Sequence, residues 1–155
     1  MSEEAWLRQL SDSDRRQAES LLRELATLGC RDPYSWAGAE IEADIPQLAR
    51  YRFLHDLWPR LIDAWPDAVT GHEAARRAVR AGASPDDLGA LARTVAYETV
   101  AAMLVHLADE HPPADLPSWR LTEVDATGAP TGRGLLGLET DLPALDPSTP
   151  QGGRP

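Results

Sequence analysis

A single stretch, from Ser84 to Glu110, constrains the fold more than any other part of the chain. It opens as Ser84-Pro85-Asp86-Asp87, which combines an N-cap serine, a proline at the first helical position and two acids in the first turn. From Thr94 to Ala108 the helix is then apolar nearly all round. Because a helix of this kind is usually covered on several sides, we expect it to lie buried at the centre of the molecule.

Shorter elements are predicted before this helix. Ser11 or Ser13 can cap a helix on which leucines recur at helical spacing up to residue 28, and an aromatic and aliphatic stripe follows between residues 51 and 65. Pro59 interrupts that stripe. Since proline removes a backbone donor and clashes with the preceding turn, we expect a kink or break near Leu57.

The pattern changes after the long helix. Residues 118–125 alternate in the manner of a strand and are followed by a turn-like segment at 126–130, so we predict a β-hairpin over about residues 118–136. Prolines, glycines and polar residues dominate from 141 to 155. We therefore predict a mainly α protein, an irregular four- to five-helix bundle around a central buried helix with a small C-terminal β-hairpin. Its single domain spans residues 1–140, with a flexible tail over residues 141–155.

Composition narrows the chemistry. The 155-residue chain has a net charge of −10, which disfavours nucleic acid and anionic membranes as partners. All fifteen basic residues are arginine, which is typical of a high-GC genome and excludes a Schiff-base or phosphate-loop lysine. Cys30 is the single cysteine, so an internal disulfide is excluded. No stretch approaches the roughly 20 apolar residues of a membrane span. We expect a cytoplasmic protein without a metal or cofactor.

Glu98 is the strongest candidate for a functional residue. It lies in the middle of the apolar helix, where a buried carboxylate must be paired, hydrogen-bonded or protonated. We predict a polar pocket between helices in which Glu98 faces Arg52 or His55, with His106 at its rim. A structural salt bridge or a surface strip is the alternative interpretation of the same residues.

Arg50 and His55 form the spacing R-x4-H. This spacing resembles the short signature of HEPN ribonucleases, small helical proteins that often dimerise and cut RNA without a metal. The resemblance implies that Arg50 and His55 act on the scissile phosphate, although Tyr51 departs from the polar residue that often follows the arginine in that family. A helix-face arginine and a boundary histidine are the alternative.

Two tryptophans are candidates for contact with a partner. Trp65 precedes a proline at a loop and Trp119 lies on the predicted hairpin, so we expect both to be exposed. The chain lacks lysine, a cysteine cluster, a serine-elbow motif and a phosphate loop, and we therefore expect a non-enzymatic protein-binding or regulatory module, of which an immunity-type protein is one example. The alternative is a small helical enzyme or ligand-binding protein that uses the predicted pocket, or a HEPN-like ribonuclease. An edge strand in the hairpin would also permit a homodimer.

Overall fold

The predicted mainly α class with a small C-terminal hairpin is confirmed by a computed structural model, which describes residues 3–108 and 119–148. The α-helices are α1 (Glu3–Gln9), α2 (Asp12–Thr27), α3 (Pro33–Ala43), α4 (Gln47–Leu57), α5 (Trp65–Ala68), α6 (Glu73–Arg80), α7 (Pro85–Leu107) and α8 (Leu138–Asp141). The strands are β1 (Thr122–Val124) and β2 (Pro130–Gly134). Single helical turns of other types follow α4, α5 and α8, at Trp58–Ile62, Val69–Gly71 and Leu142–Leu145.

Contacts group the described residues into two compact units. One contains residues 3–53 and 119–136, and the other contains residues 54–108 and 137–148. The boundary falls within α4, and the two units are considered separately below.

In the first unit, α2 packs on α3 through a core that includes Ala18, Leu21, Leu25 and Ala37, all buried. Helix α2 begins where the sequence predicts, because the Ser11 hydroxyl accepts a hydrogen bond from the backbone N–H of the third helical residue. The hairpin completes this unit. Its strands are antiparallel, and the register shifts between the two paired positions of β1.

In the second unit, the interruption predicted near Leu57 is confirmed. Helix α4 ends at that residue, and the next turn, Trp58–Ile62, is a π-helical turn that contains Pro59. Trp58 and Ile62 are buried in this turn. It packs against α7, which begins at the predicted N-cap Ser84.

The expected burial of the long helix is wrong. Helix α7 does have α5, α8 and the turns after α4 and α5 packed against it. However, only 17% of its most apolar 18-residue window is buried, because these neighbours cover one side. By length and composition it is also the one described helix long and apolar enough to cross a membrane, contrary to the expectation from sequence.

The first residues of the segment expected to form a flexible tail, 141–148, are packed in the structure. Leu142 is fully buried, and the Trp58 indole N–H donates to its carbonyl oxygen over 3.2 Å. Asp146 pairs with Arg93. Residues 141–148 therefore belong to the second unit, and the rest of the expected tail lies outside the described residues.

Candidate functional site on helix α7

The exposed side of α7 is apolar to an unusual degree for a surface helix. Leu91, Val95, Met103 and Val105 are each between 54% and 60% exposed. Isolated apolar side chains on a surface are ordinary, but a contiguous group on one helix marks a contact surface. We call this the outer face of α7 and define it by Leu91, Val95, Glu98, Ala102, Val105 and His106.

The opposite side of α7 is packed against the rest of the second unit. On the opposite side, Gly89, Ala96 and Leu104 are buried, and Gly89 lies against Pro66, with an added Cβ only 3.5 Å from that residue. The small residues let the neighbouring segments approach closely. Because the helix is apolar on both sides, the packing within the unit accounts for only part of its hydrophobic surface.

Glu98 is exposed on the outer face, so its predicted burial is wrong. It lines a shallow surface together with Thr94, Thr99 and His106, and every residue of that lining belongs to α7. His106 is exposed as well. The arrangement is thus the surface strip considered as the alternative, with a carboxylate and an imidazole set among aliphatic side chains.

The other two members of the predicted pocket lie on α4. Arg52 and His55 are both exposed, Arg52 in the first unit and His55 in the second. The structure brings Glu98 and His106 onto one strip, and a pocket that joins them to Arg52 or His55 stays a prediction.

The pair implied by the HEPN resemblance points in different directions. Arg50 is buried, and its guanidinium donates to the carbonyl oxygen of Leu136. His55 is exposed, with its Nδ1 3.7 Å from a carboxylate oxygen of Asp56. Five residues along one helix correspond to about 140° around its axis, so the two side chains do not meet on one face.

Two arginine clusters were not predicted from the sequence. In the first unit, Arg133 of β2 donates to both carboxylate oxygens of Glu123 at 2.8 and 2.9 Å and to the buried Glu40 at 3.0 Å. In the second unit, Arg93 pairs with Asp63 and Asp146. Both clusters have their charges satisfied within the protein, which is the pattern of structural ion pairs.

The single thiol does not have the surroundings of a nucleophile. Cys30 is half-buried, and burial raises the pKa of its thiol, although hydrogen bonds with the Asp32 backbone and the Tyr51 hydroxyl act in the opposite direction. Burial also raises the pKa of Tyr51 to about 12. Among the residues that the structure describes, no group of three or more His, Cys, Asp or Glu side chains is placed to hold a metal ion.

Trp65 and Trp119 are exposed, at 43% and 51%, as expected. Trp65 stacks on His72 with their ring centroids 5.9 Å apart, so part of its surface is already used within the second unit. Contact of either tryptophan with a partner stays a prediction.

Comparisons of the chain with protein-family models, curated proteins and solved structures find no significant match. The chemistry of the chain's own surfaces therefore carries the functional argument.

Proposed function

We propose that this chain is a non-enzymatic protein-binding module that acts through the outer face of α7. One observation carries the proposal: the three large apolar side chains of the outer face, Leu91, Val95 and Val105, are each more than half exposed on a helix whose other side is packed. A protein partner that covered them would recover hydrophobic free energy that folding leaves unused.

The shape and polarity of the surface favour a protein over a small molecule. Small-molecule sites are concave and surround their ligand with side chains from several elements. The outer face is a shallow strip from one helix, with two charged or titratable groups, Glu98 and His106, among its aliphatic residues. The net charge of −10 further disfavours nucleic acid.

A membrane-spanning role for α7 is disfavoured by the side of the helix that is packed. Arg93 lies within α7, paired with Asp63 and Asp146, and these charges would have to enter the hydrocarbon core. The N-terminal turn carries Asp86 and Asp87 rather than the basic residues that bind an anionic membrane surface. A cytoplasmic location is part of the proposal, and the single free cysteine, Cys30, agrees with a reducing compartment.

Site-specific crosslinking tests the proposal. A photoreactive amino acid replaces Val95 in the full chain, and in a matched control it replaces Glu19, which is exposed on α2. Expressed in the cells that produce the protein, the probe at position 95 is expected to crosslink a protein that mass spectrometry identifies, while the probe at position 19 does not. Absence of any protein adduct specific to position 95 would overturn the proposed function.

A further inference from the structure

We propose that the outer face of α7 binds the same face of a second copy of this chain, in an antiparallel pair related by a two-fold axis at Ala102. The inference rests on the proposed function, because it names the partner of that same surface. It depends on how the charged and apolar groups of the face are arranged about Ala102.

Glu98 and His106 are placed symmetrically about Ala102. One lies four residues before it and the other four residues after it, and all three side chains line the same surface. At about 100° per residue, Glu98 lies roughly 40° to one side of Ala102 and His106 roughly 40° to the other, each about 6 Å along the axis. A carboxylate and a hydrogen-bond donor thus flank a small central residue at equal offsets.

A two-fold axis that passes beside Ala102, between the two helices and perpendicular to both, brings these groups of the two copies together. The rotation reverses the direction along the helix and turns the two faces toward each other, but it leaves the lateral edges of the interface in place. It therefore brings His106 of the second copy level with Glu98 across the interface, and the converse pair forms at the other end. Isologous interfaces of this kind make every contact twice.

The chemistry of each pair is favourable in either state of the imidazole. A neutral ring donates one N–H to the carboxylate, and a protonated ring adds charge to the hydrogen bond. His106 also has an interaction within its own chain. Since imidazole has two ring nitrogens, one can keep that contact while the other meets Glu98 of the second copy.

The neighbouring residues fit the same axis. Ala102 has only a methyl group at the crossing point, which lets two helices approach to about 8 Å, the lower end of the usual separation. The rotation also places Val105 of the second copy beside the stem of Glu98, on the same lateral edge of the interface.

Other arrangements of two copies lack this match. A parallel pair places Glu98 against Glu98, and an antiparallel pair centred on Glu98 does the same. Like charges opposed across an interface are costly. Among these three arrangements, the axis at Ala102 alone joins each acid to a donor.

Substitutions that exchange the charges at Glu98 and His106 test the antiparallel pairing of the two helices. Purified wild-type chain is expected to sediment at twice its 16.9 kDa mass, and Glu98→Arg or His106→Glu alone is expected to weaken the dimer at least about tenfold. An equimolar mixture of the two single variants is expected to restore a dimer. In that mixed dimer the arginine introduced into one chain faces the glutamate introduced into the other, and the unchanged Glu98 faces the unchanged His106.

The controls separate charge from folding. Glu19→Arg, on exposed α2, makes the same change of charge as Glu98→Arg and is expected to leave the dimer unchanged. Circular dichroism checks that each variant is folded.

The outcomes separate this inference from the proposed function. A wild-type chain that stays monomeric up to about 100 μM overturns the dimer, as does a mixture of single variants that fails to associate. If the probe at position 95 then still crosslinks a different protein in cells, the proposed function stands without the dimer. If the monomer instead binds vesicles of anionic lipid through this face and no protein adduct forms, both are overturned.

Discussion

At the scale of single residues, Arg93 joins three segments of the second unit. Its Nε donates to Asp63 at 2.9 Å and its Nη2 donates to Asp146 at 2.8 Å, while the guanidinium lies 5.2 Å from the centroid of the Trp58 ring. Charge-assisted hydrogen bonds of this length are about twice as strong as neutral ones. Arg93 therefore fixes the segment after α8 to α7 and to the residues that follow α4.

The Arg93 cluster predicts a stability cost for removing Asp146. Asp146→Ala removes the pair with Arg93 and the hydrogen bonds that the carboxylate accepts from Ser148. We expect the free energy of unfolding to fall by about 1–3 kcal/mol, measured by urea denaturation. Asp67→Ala removes an exposed acid of the same unit and is expected to change stability by less than about 0.5 kcal/mol. Equal effects of the two substitutions would contradict the structural role of Asp146.

The same variant gives a pH dependence of defined sign. Burial raises the pKa of Asp146, but hydrogen bonds from Ser148 and Arg93 outweigh it, so the pKa is lowered in the folded state. A carboxyl whose folded pKa lies below its unfolded pKa stabilises the protein fully only above the unfolded value, about 4. The stability difference between wild type and Asp146→Ala is therefore expected to shrink as the pH falls below about 4. A difference that stays constant across this range would refute the linkage.

At the scale of the elements, β2 is joined to α3 by an ion pair between Arg133 and Glu40, of which the glutamate is buried. The Glu40 carboxylate is 3% exposed; one oxygen accepts from Arg133, and the other accepts from the backbone N–H of Leu48 at the start of α4. Glu40 thus connects the hairpin to the first turn of α4. Asp44, which follows α3 in a left-handed conformation with φ 51°, adds a contact to Arg133 at 3.3 Å.

Loss of the arginine is expected to cost more than loss of the whole pair. Arg133→Met leaves Glu40 charged and buried, and we expect destabilisation by about 3–5 kcal/mol. Combining it with Glu40→Gln removes the stranded charge, and the double variant is expected to be more stable than Arg133→Met alone. Arg23→Met, on the exposed side of α2, is the control. Thermal unfolding in which the second substitution brings no recovery would contradict the buried pair.

The start of each long helix could be predicted from the sequence because the signals are local. Ser11 and Ser84 each cap a helix through a backbone N–H three residues away. The partners of Arg133 and Arg93 could not be predicted, since each lies far along the chain. Glu40 is 93 residues from Arg133, and Asp146 is 53 residues from Arg93.

The covered side of α7 could not be predicted for the same reason. Its neighbours come from separate parts of the chain, namely α5, α8 and the turns after α4 and α5. A helix that is apolar all round carries no signal of which side those neighbours take. Glu98 could therefore not be placed on the exposed side from the sequence.

Leu142 tests the structured part of the C-terminal segment. It is fully buried, so Leu142→Ala is expected to lower the free energy of unfolding by about 2–4 kcal/mol, through lost burial and the cavity that remains. Leu61→Ala, at a position 48% exposed in the same unit, is expected to cost less than about 1 kcal/mol. A Leu142→Ala variant as stable as wild type would show that residues after 141 behave as the flexible tail predicted from composition.

At the scale of the whole molecule, two properties of the chain act against each other. A net charge of −10 keeps copies apart at long range, whereas the proposed pairing of two outer faces would hold them together at contact. Salt screens the first effect within about 10 Å at 0.1 M and leaves hydrophobic contact largely intact. Association of two copies is therefore expected to strengthen when salt is raised from low to moderate concentration.

The outer face also predicts how thermal stability depends on protein concentration. If a second copy covers it, the melting temperature of wild type rises with concentration, because association stabilises only the folded state. Replacing Leu91, Val95 and Val105 together by Gln is expected to abolish that rise. At the lowest concentration the triple variant should melt close to wild type, since these side chains are more than half exposed and bury little on folding within one chain. Differential scanning fluorimetry over a wide range of dilutions measures both effects. A triple variant that melts far below wild type at every concentration would show that the face is covered within the single chain, and its availability to a partner would be refuted.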